Sequence, residues 1–208
     1  MLLFKHVIFD LKEKYSPHTI ILYGSRARNE ESETSDIDIV CFSKHVKTEV
    51  KDARDFHGVY LDAWIYPTDY MYNITESVFR FSDGVILVDE CKLASSYINE
   101  IKAKIREGRK AMSEEDLVHL SAWIDKMLRR ASVDDLDGHY RRTWLQFELL
   151  SIYFEVRGKW FLGHKKALRY LEEHDSELYE LFCLMYKNPL NIEYLNRVSN
   201  KVLRITKS

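Results

Sequence analysis

The first part of the chain consists of short apolar runs separated by polar breaks, a pattern that predicts strands joined by turns. β-branched and aromatic clusters predict four strands, at residues 19–23, 36–42, 57–66 and 83–88. Val7 and Leu11 recur at helical spacing and predict a helix over residues 2–15. A further helix is predicted after Pro67, and the polar stretch 25–33 is typical of a turn with a short helix.

After residue 91 the apolar positions recur every three or four residues, and this spacing predicts helices only. The predicted helices cover residues 92–107, 117–131, 136–157 and 164–173, with two more divided near Pro189. Ser113 followed by Asp116 is a capping signal at the start of the second of them. The pattern therefore predicts an α/β (α+β) domain with a small mixed sheet at residues 1–91, followed by an all-α helical-bundle domain at residues 92–208.

Composition indicates that the chain can bury a core. Of its 208 residues, 46% are apolar and 31% are charged, which excludes disorder by composition. The net charge of −2 provides no general attraction to nucleic acid, so no nucleic-acid partner is expected. The charge is uneven, acidic before residue 92 and basic after it. Metal carboxylates in one part and phosphate-facing cations in the other would explain the difference, and so would an ordinary scatter of surface charge.

The cysteines and the N-terminus bear on the compartment. Cys41, Cys91 and Cys183 stand far apart in apolar stretches, which indicates reduced thiols in a cytoplasmic protein and not a disulfide framework or a zinc site. The N-terminal apolar run contains charges and lacks a small-residue cleavage site, so it is not interpreted as a signal peptide. No stretch reaches the ~18 uncharged apolar residues that a membrane span needs, and no membrane association is expected.

Two aspartates at the start of the second predicted strand are the first candidates for chemistry. Side chains alternate between the faces of a strand, so Asp36 and Asp38 share one face while Ile37 points into the core. Such a pair repels itself unless a cation lies between the carboxylates, and Mg²⁺ favours these oxygen ligands together with substrate phosphates. Asp62 interrupts the apolar strand VYLDAWIY and is the candidate third carboxylate, since burying it unpaired is costly. A strand residue that faces water is the alternative interpretation of Asp62.

A glycine–serine turn follows the first predicted strand. Gly24 allows the backbone to approach a ligand closely. Ser25 adds a hydroxyl and a backbone N–H where a short helix begins, a place that suits phosphate. Arg26 and Arg28 lie close behind and could add positive charge toward the phosphates, and Arg28 is the one assigned here to the nucleotide site.

Each of these signals is weak alone, because 33 acidic residues produce D-x-D pairs by chance and G-S is an ordinary turn. Their combination at strand ends is the informative feature. The sequence YGSRAR lacks the G-x-x-x-x-G-K-[ST] spacing of a Walker loop. In D-x-D phosphatases and glycosyltransferases the apolar strand precedes the aspartates, whereas here it follows them. An EF-hand loop would need further oxygens and a glycine at fixed offsets.

The segment GSRARNEESETSDIDIV resembles the G-S-x-A-x-G…D-x-D signature of the DNA polymerase beta superfamily of nucleotidyltransferases. It is most similar to the minimal nucleotidyltransferases and to the aminoglycoside and lincosamide nucleotidyltransferases. Asn29 stands where that family has glycine, and asparagine tolerates the same left-handed backbone.

The resemblance implies roles for the candidate residues. Gly24 and Ser25 would bind the triphosphate, and Asp36 and Asp38 would hold Mg²⁺. Asp62 would be the third carboxylate and act as a metal ligand, as the general base for an acceptor hydroxyl, or as both. Pairing of two chains is common among the antibiotic-modifying members, so the resemblance also implies a homodimer.

The second half resembles the helical C-terminal domain of kanamycin nucleotidyltransferase-like proteins over residues 141–175, where that domain contributes to the acceptor site. Contact with phosphates or with an acidic acceptor is one interpretation of Lys165 and Lys166. A helix face in contact with solvent is the alternative interpretation. Arg157, polar within an apolar run, is a candidate buried charge with a partner.

The predicted function is Mg²⁺-dependent transfer of a nucleoside monophosphate to a hydroxyl of a small molecule. AMP from ATP is the expected donor chemistry, although another nucleoside triphosphate fits the same motif. An aminoglycoside-like antibiotic is the expected acceptor, with resistance as the outcome. The alternatives are adenylylation of a protein partner of the toxin–antitoxin type and a catalytically inert nucleotide-binding protein.

Overall fold

A five-stranded sheet is the framework of the first part of the chain. The structure is a computed structural model that describes residues 2–204, and it divides into two compact units after Glu107. The helices of the first unit are α1 (Leu2–Tyr15), α2 (Gly24–Ala27) and α3 (Ala94–Glu107). The strands are β1 (Thr19–Tyr23), β2 (Ile37–Ser43), β3 (Val50–Phe56), β4 (Val59–Pro67) and β5 (Val85–Asp89).

The strands are arranged in the order β3-β4-β2-β1-β5. β2 and β4 run parallel, whereas β1 pairs antiparallel with β2 and β5, and β3 pairs antiparallel with β4. The predicted small mixed sheet is confirmed. The parallel pairing matters for the site, because it aligns the start of β2 with the middle of β4.

The two faces of the sheet have different partners. On one face Val7 and Leu11 of α1 are fully buried in one cluster with Ile37, Ile39 and Ile65 of the sheet. Burying such side chains typically contributes about 1.5–3 kcal/mol each, so this face supplies much of the stability of the unit. Because strand side chains alternate, Asp38 is directed to the opposite face.

The opposite face is covered in part by two 3-10 helices and by α3. The 3-10 helices span Thr68–Tyr72 and Glu76–Phe81, where a single helix was predicted after Pro67. In the 3-10 helices Met71, Val78 and Phe79 are buried. The prediction of one continuous helix there was wrong. The buried apolar residues lie on two separate 3-10 helices, Met71 on the first and Val78 and Phe79 on the second.

Strand β3 was absent from the sequence prediction. Its residues, VKDARDF, alternate charges with few apolar side chains, and β-branched runs were the signal used. Asp52 is nevertheless buried on β3, because Arg54 donates to it at 2.7 Å and Tyr15 donates at 3.2 Å. Lys14 of α1 lies 3.7 Å from the same carboxylate. Paired charges at the sheet edge thus replace the apolar pattern.

The second unit is helical throughout its described residues. Its helices are α4 (Glu114–Ala131), α5 (Leu136–Glu155), α6 (His164–His174), α7 (Ser176–Lys187) and α8 (Ile192–Leu203). One core cluster joins all five helices, and Ile124, Leu149 and Phe182 are fully buried in it. The predicted capping box is present, since Ser113 and Asp116 exchange hydrogen bonds with each other's backbone N–H. The predicted α+β domain followed by a helical domain is confirmed.

The units meet in sequence later than the proposed boundary at residue 91. α3 follows that residue, and it packs against β5 and the second 3-10 helix of the first unit. Tyr97 of α3 contacts Phe42 of β2 edge to face, with ring centroids 5.1 Å apart. The first compact unit accordingly extends to Glu107. Across residues 2–204, none of the helices has the length and apolar character required to pass through a membrane.

Candidate active site

Two aspartates lie side by side on the sheet face that is turned away from α1. Asp38 of β2 and Asp62 of β4 are direct partners in the parallel register, so their side chains leave the sheet on the same face. Asp36 lies just before β2, two residues from Asp38 and exposed. The strand pairing therefore brings Asp38 and Asp62 together from segments more than 20 residues apart in the chain, while Asp36 lies before the strand.

The electrostatics of Asp38 are those of a crowded carboxylate. Burial raises its pKa, and the neighbouring charges of Asp62 and Asp36 raise the pKa further. The positive charges of Arg28 and Arg80 oppose this rise without cancelling it. A cation placed beside Asp38 would therefore be stabilised, and its binding would displace a proton from any protonated fraction.

Asp62 has an unused acceptor. Its Oδ1 is buried and accepts no hydrogen bond from the residues that the structure describes. The ammonium of Lys51 lies 3.4 Å from this oxygen, close enough for an ion pair but without the geometry of a hydrogen bond. A buried carboxylate oxygen without a hydrogen bond is costly, which makes it a place where a cation would be held.

Gly24 stands against the carboxylate of Asp38. Its φ is +75°, in the left-handed region that favours glycine. A Cβ at this position would lie 2.1 Å from Oδ2 of Asp38 and 2.8 Å from its Cγ. Close approach of the Gly24 backbone to a ligand stays a prediction; what the structure shows is that the absence of a side chain leaves room for the Asp38 carboxylate.

The turn after Gly24 is closed by its own backbone. The carbonyl of Ser25 accepts hydrogen bonds from the N–H groups of Arg28 at 3.1 Å and Glu30 at 3.0 Å. Asn29 adopts φ +56°, the left-handed conformation predicted for it. The Arg28 guanidinium donates to Glu30 at 2.8 Å and lies 4.0 Å from Asp83. Arg28 is thus close to the acidic pair but engaged with carboxylates of its own.

Arg26 has a different position from the phosphate-facing one considered above. Its Nε and Nη2 donate to the carbonyl of Ser35 at 3.2 and 2.7 Å, and Nε also donates to the carbonyl of Asp36 at 3.0 Å. The guanidinium therefore ties the turn after β1 to the segment that enters β2. Arg26 fixes the backbone that carries Asp36.

Two cations on the same face were not identified from the sequence. Lys51 of β3 lies over the ring of Trp64 at 4.9 Å, and Arg80 of the second 3-10 helix lies over Trp64 at 5.6 Å. Arg80 also donates to Tyr66 Oη at 3.2 Å. A lone arginine between Val78-Phe79 and Phe81 was the available signal for this position.

The metal-binding capacity of this face depends on carboxylate oxygens. Throughout residues 2–204, no group of three or more His, Cys, Asp or Glu side chains is arranged so that it could hold a metal ion. Asp36 is exposed just before the start of β2, and Lys51 lies beside Asp62. The joint role of Asp36, Asp38 and Asp62 as ligands stays a prediction.

The candidate residues of the second unit lie within it as follows. Arg157 donates to the carbonyls of Tyr153 and Val202, at 3.1 and 3.0 Å, and lies 3.8 Å over the Tyr153 ring. It therefore pairs with backbone oxygens and a ring, where a charged partner had been considered. Lys165 is exposed and Lys166 is partly buried in the first turn of α6.

Comparison with known proteins gives three results. The model of a family described as nucleotidyltransferase domain matches residues 5–118. A protein of Methanocaldococcus jannaschii, provisionally named a protein adenylyltransferase, is 61% identical over 31 residues, which are 15% of this chain and 32% of that relative. This chain thus covers about a third of the relative's length.

The third result is a solved structure of a nucleotidyltransferase-like protein from Exiguobacterium sibiricum 255-15. It aligns over 97% of this chain and 73% of its own, with a TM-score of 0.43 and 12% identity. At that score and identity the likeness has no bearing on function.

Proposed function

The chain belongs to the family of nucleotidyltransferase domains, and we propose that it transfers AMP from ATP to a hydroxyl group in a reaction that depends on Mg²⁺. The family model covers residues 5–118, a range that includes the sheet face with Asp38 and Asp62, here called the acidic face. Membership of that family supports nucleotidyl transfer as the proposed activity. The nucleotide, the metal and the acceptor are the finer parts of the proposal.

One observation carries the proposal: Asp38 and Asp62 lie in register on one sheet face, with Gly24 placed against the carboxylate of Asp38. Burial raises the pKa of Asp38 and the negative charge of Asp62 raises it further, so the ionised form of Asp38 is disfavoured in the protein alone. Such an arrangement is expected where a polyanionic substrate and its cations bind, because both together compensate the charge.

The residues present fit Mg²⁺. The donor set consists of carboxylate oxygens, which Mg²⁺ prefers, and one of them, Oδ1 of Asp62, is buried without a hydrogen bond. Asp38 and Asp62 would hold the ion together with substrate phosphates, with Asp36 as the proposed third ligand. When bound, Mg²⁺ would neutralise the triphosphate and lower the barrier to attack at its α-phosphorus.

The protein groups have separate tasks in the transfer. The acceptor oxygen forms a bond to the α-phosphorus while the bond from that phosphorus to the bridging oxygen of pyrophosphate breaks. Asp62 accepts the acceptor's proton, and its Oδ1 accepts no hydrogen bond from the described residues. Ser25 Oγ donates a hydrogen bond to a phosphate oxygen, and Arg26 holds the backbone at Asp36 in place. Pyrophosphate carries the leaving electron pair.

Two acceptor classes are considered. A small hydroxylated molecule, such as an aminoglycoside, is the acceptor implied by the resemblance of the helical second unit. A protein hydroxyl is the second candidate, and the name of the Methanocaldococcus jannaschii relative favours it. That name also supports AMP as the transferred group.

Labelled ATP tests the proposal. The purified chain is incubated with Mg²⁺, candidate acceptors of both classes, and ATP that carries the label on either the α- or the γ-phosphate. We expect label to appear on the acceptor from the α-position only, with one pyrophosphate released per transfer. Transfer from the γ-position would indicate a kinase and overturn the proposal.

Matched variants connect the activity to the site. Asp62→Asn removes a carboxylate with little change in shape and is expected to reduce transfer at least 100-fold, within the range found for lost acid–base groups. Glu13→Gln removes one exposed negative charge from α1, which packs on the other face of the sheet, and should leave transfer unchanged. Equal activity of the two variants would place the chemistry elsewhere.

A further inference from the structure

Arg80 lies among aromatic rings on the acidic face. Its guanidinium lies 5.0 Å from the ring centroid of Phe81, 5.6 Å from that of Trp64 and 5.7 Å from that of Tyr23. Tyr66 accepts a hydrogen bond from its Nη2 at 3.2 Å. Planar guanidinium groups stack on such rings, and rings on several sides reduce the conformations left to the side chain.

The rings that hold Arg80 belong to the same face as the carboxylates. Tyr23 of β1 is the register partner of Asp38, and Trp64 follows Asp62 by two residues on β4. Arg80 is close enough to Asp38 to lower its pKa, although burial and the other carboxylates outweigh that effect. The positive charge of Arg80 therefore acts on Asp38 of the candidate site.

Arg80 differs from the other cations of this face because no carboxylate of the described residues pairs with it. Arg28 is paired with Glu30, Lys51 lies 3.4 Å from Asp62, and Arg26 donates to backbone carbonyls. Within the described part of the chain, no carboxylate lies within ion-pair distance of Arg80. Its N–H groups that do not contact Tyr66 are available to an anion, and the side chain is exposed.

We propose that Arg80 binds the triphosphate, donating to phosphate oxygens of the nucleotide and retaining the pyrophosphate as it leaves. This assignment rests on the proposed function of the same site. A triphosphate brings several negative charges to a face that already carries aspartates. A cation that is already paired would have to break that interaction in order to compensate these charges. Arg80 compensates them without that cost, and its forked donors match phosphate oxygens in pairs.

Equilibrium binding of three nucleotides separates this role from a structural one. ATP, ADP and AMP are titrated into the wild-type protein, Arg80→Met, Arg80→Lys and the control Arg106→Met, which removes one exposed cation of α3. We expect Arg80→Met to weaken ATP binding about 10- to 100-fold and AMP binding less than 2-fold, as loss of a charged hydrogen-bond donor to the outer phosphates requires. Arg80→Lys should recover part of the loss, since it keeps the charge and loses the fork.

The outcomes distinguish this inference from the proposed function. A wild-type protein that fails to bind ATP would remove the proposed function and this inference with it. Wild-type binding with equal ATP affinity in Arg80→Met would overturn the role of Arg80 alone. A parallel loss of ATP and AMP affinity, with a lowered melting temperature, would make Arg80 structural and also overturn it. Competition by pyrophosphate should weaken in Arg80→Met by the same factor as ATP binding.

Discussion

Replacing Asp38 by asparagine should stabilise the protein while it removes the activity. The substitution keeps the shape that fits against Gly24 and removes one of two facing negative charges. Among the residues described, no lysine or arginine forms a salt bridge with Asp38. The substitution therefore removes little favourable interaction. Removal of a catalytic charge is expected to stabilise a protein only where the folded state disfavours the ionised form of that group.

The magnitude follows from the strand geometry. Neighbouring strands lie ~4.8 Å apart, so the carboxylates of Asp38 and Asp62 are separated by about 5 Å. With an effective dielectric constant between about 80 and 20, two unit charges at that distance repel by about 1–3 kcal/mol. Arg28 and Arg80 offset part of this repulsion, which favours the lower end of the range. Each kcal/mol corresponds to about 2–4 °C in the melting temperature of a chain of this size.

The pH dependence has a defined sign. The pKa of Asp38 is raised in the folded state, so its protonated form is favoured by folding. The stability that this group contributes is present below its unfolded pKa, about 3.9, and is lost as pH rises through the higher folded value. The gain from Asp38→Asn should therefore be full at pH 7 and shrink toward pH 4.

Thermal unfolding in EDTA measures the effect, with Glu13→Gln as the control for removing an exposed negative charge. Asp38→Asn should melt higher than the wild type at pH 7, and Glu13→Gln should match the wild type. Mg²⁺ should raise the melting temperature of the wild type and leave Asp38→Asn nearly unchanged. A lower melting temperature for Asp38→Asn in EDTA would refute the electrostatic reasoning.

Two further substitutions test packing and pairing. Gly24→Ala forces the Asp38 carboxylate to rotate away and places alanine at φ +75°, so transfer should fall at least 100-fold and stability by about 1–2 kcal/mol; retained transfer would contradict the contact. Asp52→Asn should lower the free energy of unfolding in urea by about 1–3 kcal/mol at pH 7. Burial raises the pKa of Asp52, but the hydrogen bond and charge of Arg54 lower it more, so the net pKa is lowered. That stability is present above the unfolded pKa and lost as pH falls through the folded one, and an effect equal at pH 7 and pH 3 would disprove the pairing.

Local chemistry made much of the fold predictable. Helical spacing and the capping pair Ser113 and Asp116 set the helices of the second unit close to their observed bounds. The left-handed backbone of Asn29 was predictable for the same reason, since few side chains tolerate it. Strand β1 followed from its β-branched run.

Tertiary pairing decided what the sequence pattern did not indicate. β3 has no apolar alternation, because Asp52 is buried through hydrogen bonds from Arg54 on the same strand and from Tyr15, 37 residues away in the chain. The parallel register of Asp38 with Asp62 depends on which strands become neighbours, and no local spacing specifies that choice. The position of Arg80 depends on rings from two other strands for the same reason.

The central claim is that Asp38 and Asp62 bind the nucleotide together with Mg²⁺. Calorimetric titration with α,β-methylene ATP, which cannot release pyrophosphate by α–β cleavage, tests it without an acceptor. In the wild type and in Glu13→Gln, Mg²⁺ should increase the affinity at least 10-fold over EDTA, about 1.4 kcal/mol. In Asp38→Asn and Asp62→Asn this increase should disappear. The same Mg²⁺ dependence in all four proteins would contradict the claim.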